Sequence, residues 1–301
     1  MLENTLNNRE QLESESIHIL REAAANFKNP VLLYSIGKDS SVLLHLAKKA
    51  FYPGTIPFSL LHIDTGYKFP EMISFRDHTV SNNNLNLIVR KNESDEAEQL
   101  RASDAHTDRY IYLKKTKPLL DALKQLNIDV AIGGARRDEE KSRAKERVFS
   151  IRSFSNAWDP KNQRPELWHL YNAFLQPGQT MRVFPLSNWT EYDVWAYIYQ
   201  ERISVVPLYF AKKRQTVWRH GISVRVDRWT IPEPGEEVTT MTCRYRTLGC
   251  APSTGAVLSV ATTVEQIMEE VRMTKQSERQ TRAIDHVSQV AMEEKKRQGY
   301  F

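Results

Sequence analysis

The stretch SIGKDSS at positions 35–41 combines small, hydroxyl-bearing and charged residues in a pattern suited to binding an anion. It follows the apolar run PVLL and precedes LLHLAKKA, which predicts a buried strand, a glycine turn and a helix. Backbone N–H groups at a helix start are unpaired and partially positive, so such a turn forms an anion cradle. Gly37 permits a tight turn, and Lys38 adds a positive charge. Three hydroxyl groups add further donors, those of Ser35, Ser40 and Ser41.

The spacing of this loop separates it from two common nucleotide loops. It matches neither G-x-x-x-x-G-K-[ST] nor G-x-G-x-x-G. A glycine between a strand and a helix is frequent in proteins, so the loop by itself predicts phosphate binding only weakly.

Two further polar motifs directly follow apolar runs. DTG, at positions 64–66, follows PFSLLHI, and GGARRDE, which begins with Gly133 and Gly134, follows DVAI. The carboxyl ends of parallel strands lie at one edge of a sheet, and ligands bind there. We therefore expect the three motifs to converge on one crevice, and this convergence predicts a site more strongly than any single motif.

Basic residues cluster just beyond the last of these motifs, namely Arg136, Arg137, Lys141 and Arg143. Guanidinium groups match the oxygens of tetrahedral oxyanions, so this segment is a candidate anion clamp. The alternative is a solvated helix face with spaced ion pairs, because DEEKSRAKER carries acidic residues at its start and basic ones later.

The elements that would position these motifs alternate between strands and helices. Helical spacing of apolar residues predicts a helix over about 10–27, followed by the strand before the loop and the helix after it. PFSLLHI, NLNLIVR and DVAIGG read as further strands, and helices are predicted from Pro70, in PLLDALKQL and in DEEKSRAKER. This alternation predicts an α/β fold with a doubly wound, mostly parallel sheet in a Rossmann-like three-layer arrangement.

The later part of the chain is less regular. Residues 150–182 lack sustained periodicity and carry Trp158 and Trp168, which favours a functional loop or lid, with the packing of a long connection as the alternative. Strand-like and turn-rich segments follow position 212. We place a nucleotide-binding domain at 1–211 and an irregular C-terminal extension, with roles in the substrate site and partner contacts, at 212–301.

Composition and charge restrict the class of protein. The 301 residues are 41% hydrophobic with a net charge of +5, which fits one large α/β domain with elaborations rather than a nucleic-acid-binding tail. Cys243 and Cys250 match neither a redox nor a zinc spacing, and no apolar run approaches a membrane span. The N-terminus lacks the apolar core of a signal peptide. We expect a soluble cytoplasmic protein without membrane or nucleic-acid partners.

Longer blocks of the sequence resemble a known family. SIGKDSS resembles the pyrophosphate loop, S-x-G-x-D-S, of the adenine nucleotide α-hydrolase superfamily, whose members cleave ATP between its α and β phosphates. HIDTGYKFPEM, GGARRDEEKSRAKERVFS, RVFPLSNWTEYDVWAYI and MEEKKRQGYF are similar to blocks of the small-subunit family of bacterial sulfate adenylyltransferases. The resemblance spans nearly the whole chain and implies an adenine nucleotide α-hydrolase-like fold.

The resemblance implies that ATP and sulfate react to give adenosine 5′-phosphosulfate and pyrophosphate, which leaves into the loop. Catalysis would depend on positioning and charge neutralisation, because sulfate is a poor nucleophile. Lys38, Arg136 and Arg137 are the implied catalytic cations, and Mg²⁺ would bridge the phosphates with Asp39 as the nearest carboxylate. The remaining implied nucleotide and oxyanion contacts are Asp64, Thr65, Gly66, Gly133, Gly134, Lys141 and Arg143. His62 is expected to be structural, since sulfate has no proton to give up at neutral pH.

The resemblance also implies a partner. The family's small subunit works with a large GTPase subunit, and this chain carries no GTPase loop of its own. We therefore expect a heterodimer or larger assembly with that GTPase.

The sequence departs from the family pattern near Ala251, Ser253 and Thr281. A changed oxyanion pocket would make the chain a diverged adenylyltransferase for another oxyanion or acceptor, whereas ordinary drift would leave sulfate as the substrate. A phosphosulfate reductase is disfavoured because Cys250 lacks the family's cysteine motif, and a tRNA thiolase because the cysteine spacing is wrong. A nucleotide-binding partner without turnover is the non-enzymatic alternative, and α–β cleavage of ATP distinguishes it.

Overall fold

The computed structural model describes residues 7–274 together with Glu278, Lys296, Arg297 and Gly299. Thr281, one of the three departures from the family pattern, lies outside these described residues.

Six short strands form the main sheet, namely β1 (Pro30–Leu33), β2 (Ser59–Ile63), β3 (Leu87–Arg90), β4 (Val130–Ile132), β5 (Phe149–Arg152) and β6 (Thr180–Val183). Their order in the sheet is β3-β2-β1-β4-β6-β5. All neighbours pair in parallel except β5, which is antiparallel to β6 at one edge. This confirms the predicted α/β class with a mostly parallel sheet.

The order of strands reverses between β1 and β4, because β2 and β3 lie on one side and β6 on the other. A crevice opens at such a reversal, outside the carboxyl ends of the strands. The loop at 35–41 leaves β1 and the glycine pair leaves β4, so the two motifs flank this crevice.

Helices cover both faces of the sheet. The α-helices are α1 (Asn8–Asn26), α2 (Lys38–Phe51), α3 (Pro70–Asn82), α4 (Asp95–Glu98), α5 (Asp108–Ile111), α6 (Lys117–Gln125), α7 (Lys141–Ala144), α8 (Glu191–Gln200) and α9 (Val264–Met273). The predicted helices over 10–27, after the loop, from Pro70 and in PLLDALKQL are confirmed. The helix at α8 begins at Thr190, whose hydroxyl accepts from the N–H of Asp193.

Neighbouring residues within a strand enter different apolar layers. Leu32 and Leu60 belong to the large core, which also contains the buried faces of α1, α2 and α8. Val31 and Leu61 pack instead with Leu119 and other residues of α6. Side chains alternate across a strand, so these short buried runs fill both layers and give the three-layer arrangement.

The predicted helix in DEEKSRAKER is wrong. The chain forms a 3₁₀ turn at Arg137–Glu139, the one-turn helix α7, and then β5. The charged residues Glu139, Arg143 and Glu146 are buried rather than displayed on a solvated face. Glu139 caps the turn, because its carboxylate accepts from the N–H of Arg136 at 3.0 Å. This local hydrogen bond competes with a continuous helix over the segment.

Strands β5 and β6 bracket the irregular stretch and were not predicted. Each carries a fully buried arginine, Arg152 in β5 and Arg182 in β6, which breaks the apolar pattern expected of a buried strand. Arg152 is neutralised by Glu146, which also binds Lys296 at 3.0 Å. Burial alone would raise the pKa of Glu146, but Arg152 and Lys296 lower it to about 2.

A second sheet begins at Lys212. Its antiparallel strands β7 (Lys212–Arg219), β8 (Ile222–Arg225), β9 (Thr239–Arg244) and β10 (Val257–Leu258) lie in the order β10-β9-β7-β8. Cys243, Tyr245 and Ile267 nevertheless join the same apolar core as β1 and α2. Among the described residues, no helix is both long enough and apolar enough to cross a membrane.

Between β5 and β6, the described chain forms only short 3₁₀ turns. Its two tryptophans differ, because Trp158 is buried whereas Trp168 is 83% exposed. The expected role of this stretch as a loop or lid stays a prediction.

Candidate active site

The loop after β1 makes its turn through Ile36 rather than through its glycine. Ile36 has a φ of 70°, in the left-handed region, whereas Gly37 precedes α2 with a φ of −75°, which any residue adopts. The expectation that Gly37 supplies the turn is therefore wrong. A Cβ there would lie 3.5 Å from the hydroxyl of Tyr209 and 3.6 Å from that of Ser35, both ordinary contacts.

The serine hydroxyls of the loop are bonded within it. Ser40 and Ser41 donate to the carbonyl oxygen of Gly37 at 2.9 and 3.1 Å, and Ser35 donates to the hydroxyl of Ser40 at 3.2 Å. Ser35 and Ser40 line the cavity described below, and Ser41 does not. The hydroxyls thus shape the loop, and two of them face the space where a ligand would lie.

Four charged side chains meet at the start of α2, and we call Lys38, Asp39, Arg136 and Glu278 the loop ion cluster. Lys38 Nζ lies 3.1 Å from Asp39 Oδ2, and Arg136 Nε lies 2.8 Å from Asp39 Oδ1. Glu278 binds Lys38 Nζ through one carboxylate oxygen and Arg136 Nη2 through the other. Both cations are fully buried, and the backbone N–H of Lys38 donates to the Tyr209 hydroxyl at 2.7 Å. The cluster thus brings together two cations from separate motifs, Lys38 after β1 and Arg136 after β4.

The opposite charges of the loop ion cluster favour the ionised forms of Lys38 and Asp39. Burial alone would lower the pKa of the Lys38 ammonium, but Asp39 and Glu278 outweigh burial and raise that pKa. Burial would likewise raise the pKa of Asp39, whereas Lys38 and Arg136 lower it. Lys38 therefore stays cationic throughout the neutral pH range, as a phosphate-binding group requires.

Gly134 allows β4 to approach the loop. A Cβ on Gly134 would lie 3.2 Å from the carbonyl carbon and the Cβ of Asp39, which is closer than side chains normally pack. The sequence predicted that this glycine pair lets the backbone approach a nucleoside. In the structure, the close neighbour of Gly134 is the loop itself, and both glycines also line the cavity.

A cavity of about 270 Å³ opens between the ends of β1, β2 and β4. Leu33, Leu61, Ile63 and Leu119 give it an apolar wall. Polar and charged groups line the rest, including Lys38, Asp39, Ser40, Thr65, Lys68, Lys115, Glu139, Arg143 and Glu278. An apolar wall combined with several cations suits a ligand that has both a flat apolar part and anionic groups.

The motif after β2 contributes one side chain to this cavity. Thr65 lines it, and its hydroxyl lies 3.2 Å from the sulfur of Cys250. Asp64 instead accepts from the N–H of Gly66 at 2.8 Å, which forms a local turn in which Gly66 has a φ of 81°. Asp64 and Gly66 do not line the cavity, so any contact they make with a nucleotide stays a prediction.

The basic segment does not form the expected clamp of adjacent arginines. Arg136 points into the loop ion cluster, whereas Arg137 donates to Asn188 and lies 4.0 Å from Glu166. Arg136 is extended at the start of the 3₁₀ turn, so successive side chains leave in different directions. The structure therefore does not bring these two arginine side chains together.

Two further basic residues of this segment were expected in the clamp, Lys141 and Arg143. Arg143 lines the cavity, with Nε 3.2 Å from Glu139 Oε2. The side chain of Lys141 is outside the described part of the structure.

Several cavity residues were missed from the sequence, namely Lys68, Lys115, Glu139, Tyr209 and Glu278. Lys68 stands four residues after Asp64 in the same motif, so its position was a usable signal. Glu278 lies 240 positions from Lys38, and no local pattern connects the two residues. Contacts of that separation are set by the tertiary fold alone.

His62 is held as a structural residue. It is 1% exposed, and its Nδ1 lies 2.8 Å from the carbonyl oxygen of Tyr34, which requires the proton on Nδ1. Burial, with a smaller effect of Lys68, lowers the pKa of His62 to about 4. The imidazole is therefore neutral at physiological pH.

The described residues contain no group of three or more acidic, histidine or cysteine side chains placed to hold a metal ion. Carboxylates do line the cavity at Asp39, Glu139 and Glu278, and oxygen ligands are those that Mg²⁺ prefers. Because Asp39 is already paired with two cations, a magnesium ion here would depend mainly on oxygens brought by a ligand.

Comparison with known proteins identifies the family. The model of the phosphoadenosine phosphosulfate reductase domain matches residues 29–256. Sulfate adenylyltransferase subunit 2 of Aeromonas hydrophila is 58% identical over 297 residues, which are 97% of each chain. The Marinomonas protein of the same name is 56% identical over an alignment of 305 positions that covers 100% of both chains.

Solved structures resemble the chain more distantly. Phosphoadenylyl-sulfate reductase from Candida auris is 20% identical with a TM-score of 0.46, covering 68% of this chain and 91% of that one. Candida glabrata FMN adenylyltransferase in complex with ATP is 14% identical with a TM-score of 0.49, covering 74% and 67%. On the domain match and the near-full-length identity to the bacterial proteins, this chain belongs to the sulfate adenylyltransferase subunit 2 family, within the phosphoadenosine phosphosulfate reductase domain proteins.

Proposed function

We propose that this chain transfers the adenylyl group of ATP to sulfate. The observation that carries the proposal is the pair of buried cations, Lys38 and Arg136, at the helix start of a cavity with an apolar wall, in a chain of this family. A sulfate oxygen attacks the α-phosphorus, and the bond from the α-phosphorus to the bridging oxygen of the β-phosphate breaks. The electron pair leaves with pyrophosphate, and adenosine 5′-phosphosulfate is the other product.

The loop would hold the pyrophosphate that leaves. The partial positive charge at the start of α2, the Lys38 ammonium and the Arg136 guanidinium would neutralise its negative charge, which grows as the bond breaks. Ser35 and Ser40 line the same space and would donate after rotating away from their present acceptors. The cations sit in a region from which water is largely excluded, so their stabilisation of this charge is strong.

The apolar wall would hold the adenine, with Thr65 and the Gly133–Gly134 backbone beside it. Lys68, Lys115 and Arg143 line the cavity as further cations and would bring sulfate and the α-phosphate together against their mutual repulsion. This assignment replaces Arg137 with Lys68 and Lys115 in the expected oxyanion clamp.

The C-terminal part would complete this substrate site. Thr247, Leu248, Gly249 and Glu278 all lie beyond position 212 and line the cavity. The departure at Ala251–Ser253 follows directly, and the backbone N–H of Ala251 donates to the carbonyl oxygen of Tyr67 at 2.8 Å. Its position near the cavity is the reason to test oxyanions other than sulfate, although relatives of this similarity are named for sulfate.

Magnesium would enter as the nucleotide's counter-ion. It supplies charge neutralisation on the phosphates, with Asp39 as the protein carboxylate placed to approach it.

Relatives are named as subunit 2, so we infer that this chain works with a second subunit. We propose that the partner is a GTPase. Its hydrolysis of GTP would drive the uphill synthesis of adenosine 5′-phosphosulfate, and the assembly would act in the cytoplasm. Both cysteines are free and buried, which agrees with a reducing compartment.

The experiment measures pyrophosphate release from magnesium ATP with sulfate, selenate, molybdate or no oxyanion, with and without the GTPase subunit and GTP. Sulfate-dependent release that rises with GTP is the expected result. Release that responds to another oxyanion but not to sulfate would establish a diverged acceptor. ATP binding without any cleavage at the α–β bond would refute the proposed activity.

A further inference from the structure

Glu278 reaches the loop from the far end of the chain. It lies 240 positions after Lys38 and is buried within the loop ion cluster. One of its carboxylate oxygens binds Lys38 Nζ and the other binds Arg136 Nη2. A single anionic group thus bridges an ammonium and a guanidinium at the start of α2.

This arrangement reproduces the way in which a phosphate group binds. A phosphate also presents neighbouring anionic oxygens on one central atom, and paired lysine and arginine donors at a helix start are groups that bind it. Glu278 lines the same cavity as Lys38. Its carboxylate therefore lies where a phosphate of a bound nucleotide would meet these two cations.

Of the two carboxylates that contact both cations, Glu278 is the one that can exchange. Asp39 is the chain neighbour of Lys38, so it stays at the loop whatever is bound. Burial raises the pKa of the Glu278 carboxyl despite the favourable charges of Lys38 and Arg136, so the charged carboxylate is costly to keep in this position. A di- or triphosphate offers more negative charge to the same donors.

We propose that the Glu278 carboxylate competes with a phosphate group for Lys38 and Arg136, and thereby sets the affinity of the loop for polyphosphate. The inference rests on the proposed function only in naming that polyphosphate as ATP or pyrophosphate. Glu278 must leave the cations when the nucleotide binds, and it returns to them as pyrophosphate departs. The competition weakens binding of the product and so speeds its release.

The test is calorimetric titration of the full-length protein with pyrophosphate in the absence of magnesium. Glu278→Gln keeps the shape of the side chain and removes its charge. The control is Glu270→Gln, which removes a carboxylate that binds the buried Arg244 at 2.8 Å and does not line the cavity. We expect Glu278→Gln to bind pyrophosphate at least about tenfold more tightly, and Glu270→Gln to change affinity by less than about threefold.

A second measurement separates competition from a structural role. Hydrogen exchange in the peptide that contains Glu278 should increase when pyrophosphate binds to the wild-type protein, and melting curves of both variants check that they are folded. Unchanged or weaker pyrophosphate binding by folded Glu278→Gln would overturn the proposal, as would equal effects of the two variants. Sulfate-dependent release of pyrophosphate from ATP, measured separately on the wild type, keeps failure of this inference distinct from failure of the proposed function.

Discussion

The ammonium group of Lys38 contacts two carboxylates, and the side chain lines the cavity. We predict that Lys38→Met lowers the rate of pyrophosphate release from ATP at least about tenfold, because charge-assisted hydrogen bonds contribute about 1.5–3 kcal/mol. Lys49→Met is the matched control, since Lys49 lies on the same helix and pairs with Glu13 and Glu201 outside the cavity. Rates are compared after near-UV circular dichroism shows both variants folded. A folded Lys38→Met protein with wild-type turnover would remove the loop from the mechanism.

The two adjacent arginines give a sharper comparison. Arg136→Gln should lower turnover at least about tenfold, because it removes a cation that would bind the leaving phosphates. Arg137→Gln should stay within about threefold of the wild type, since Arg137 binds Asn188 and does not line the cavity. The measurement is steady-state pyrophosphate release. A larger loss in Arg137→Gln than in Arg136→Gln would restore the clamp expected from the sequence.

The side chains of the site could be predicted from the sequence where they follow a strand directly. Lys38, Asp39 and Arg136 were named because β1 and β4 end beside them, and the structure brings these three together. Glu278 was not named, because a contact across 240 positions leaves no local pattern. The direction of Arg137 also depended on backbone angles in a turn that was predicted to be helical.

Strand β2 carries a buried histidine that makes stability depend on pH. Unfolded His62 titrates near 6.5, whereas burial lowers its folded pKa to about 4. The unfolded state therefore binds a proton first as the pH falls, and stability is lost between about pH 6.5 and 4. The loss amounts to roughly 3 kcal/mol, from about 1.4 kcal/mol per pH unit.

Urea unfolding of the wild type and of His62→Asn across this pH range measures the effect. Asparagine keeps a donor for the Tyr34 carbonyl and does not titrate. Equal pH slopes in the two proteins would contradict the prediction.

The junction between β4 and the loop tolerates no added side chain without movement. In Gly134→Ala, the new methyl would lie 3.2 Å from Asp39, so the loop must shift. We expect a loss of about 1–3 kcal/mol in unfolding free energy and weaker ATP binding. Gly37→Ala is the comparison for stability, because its Cβ meets only ordinary contacts at 3.5 Å and beyond. Denaturant titration measures the unfolding free energy of both variants. Equal stability would contradict the prediction, because it would show that the loop moves to accommodate the new methyl group at no cost.

Helical spacing predicted α1, α2, α3 and α6, and continuous apolar runs predicted β1 to β4, because each of these helices buries one face and these strands are covered on both faces. These patterns failed at β5 and β6, where buried Arg152 and Arg182 replace the apolar residues that mark a strand. Glu146 makes that burial possible for Arg152, and the pairing appears only once the sheet is assembled.

At the scale of the whole molecule, residues that are far apart in the sequence line the same cavity. Leu33 and Lys38 line it from the start of the fold, Arg143 from the middle, and Leu248 and Glu278 from the end. The side chains that line the crevice at the strand reversal therefore come together only when all of these parts are folded.

The large apolar core that joins both sheets makes each part of the chain depend on the other for burial of its apolar residues. Cys243, Tyr245 and Ile267 pack with the same core as α2 and α8, although they lie beyond the boundary at 212. A gene cut between codons 211 and 212 would yield two polypeptides that each expose part of that interior. Expressed together, the halves should reassemble and recover function, whereas either one alone should aggregate, so the protein offers a ready two-part reporter for complementation assays.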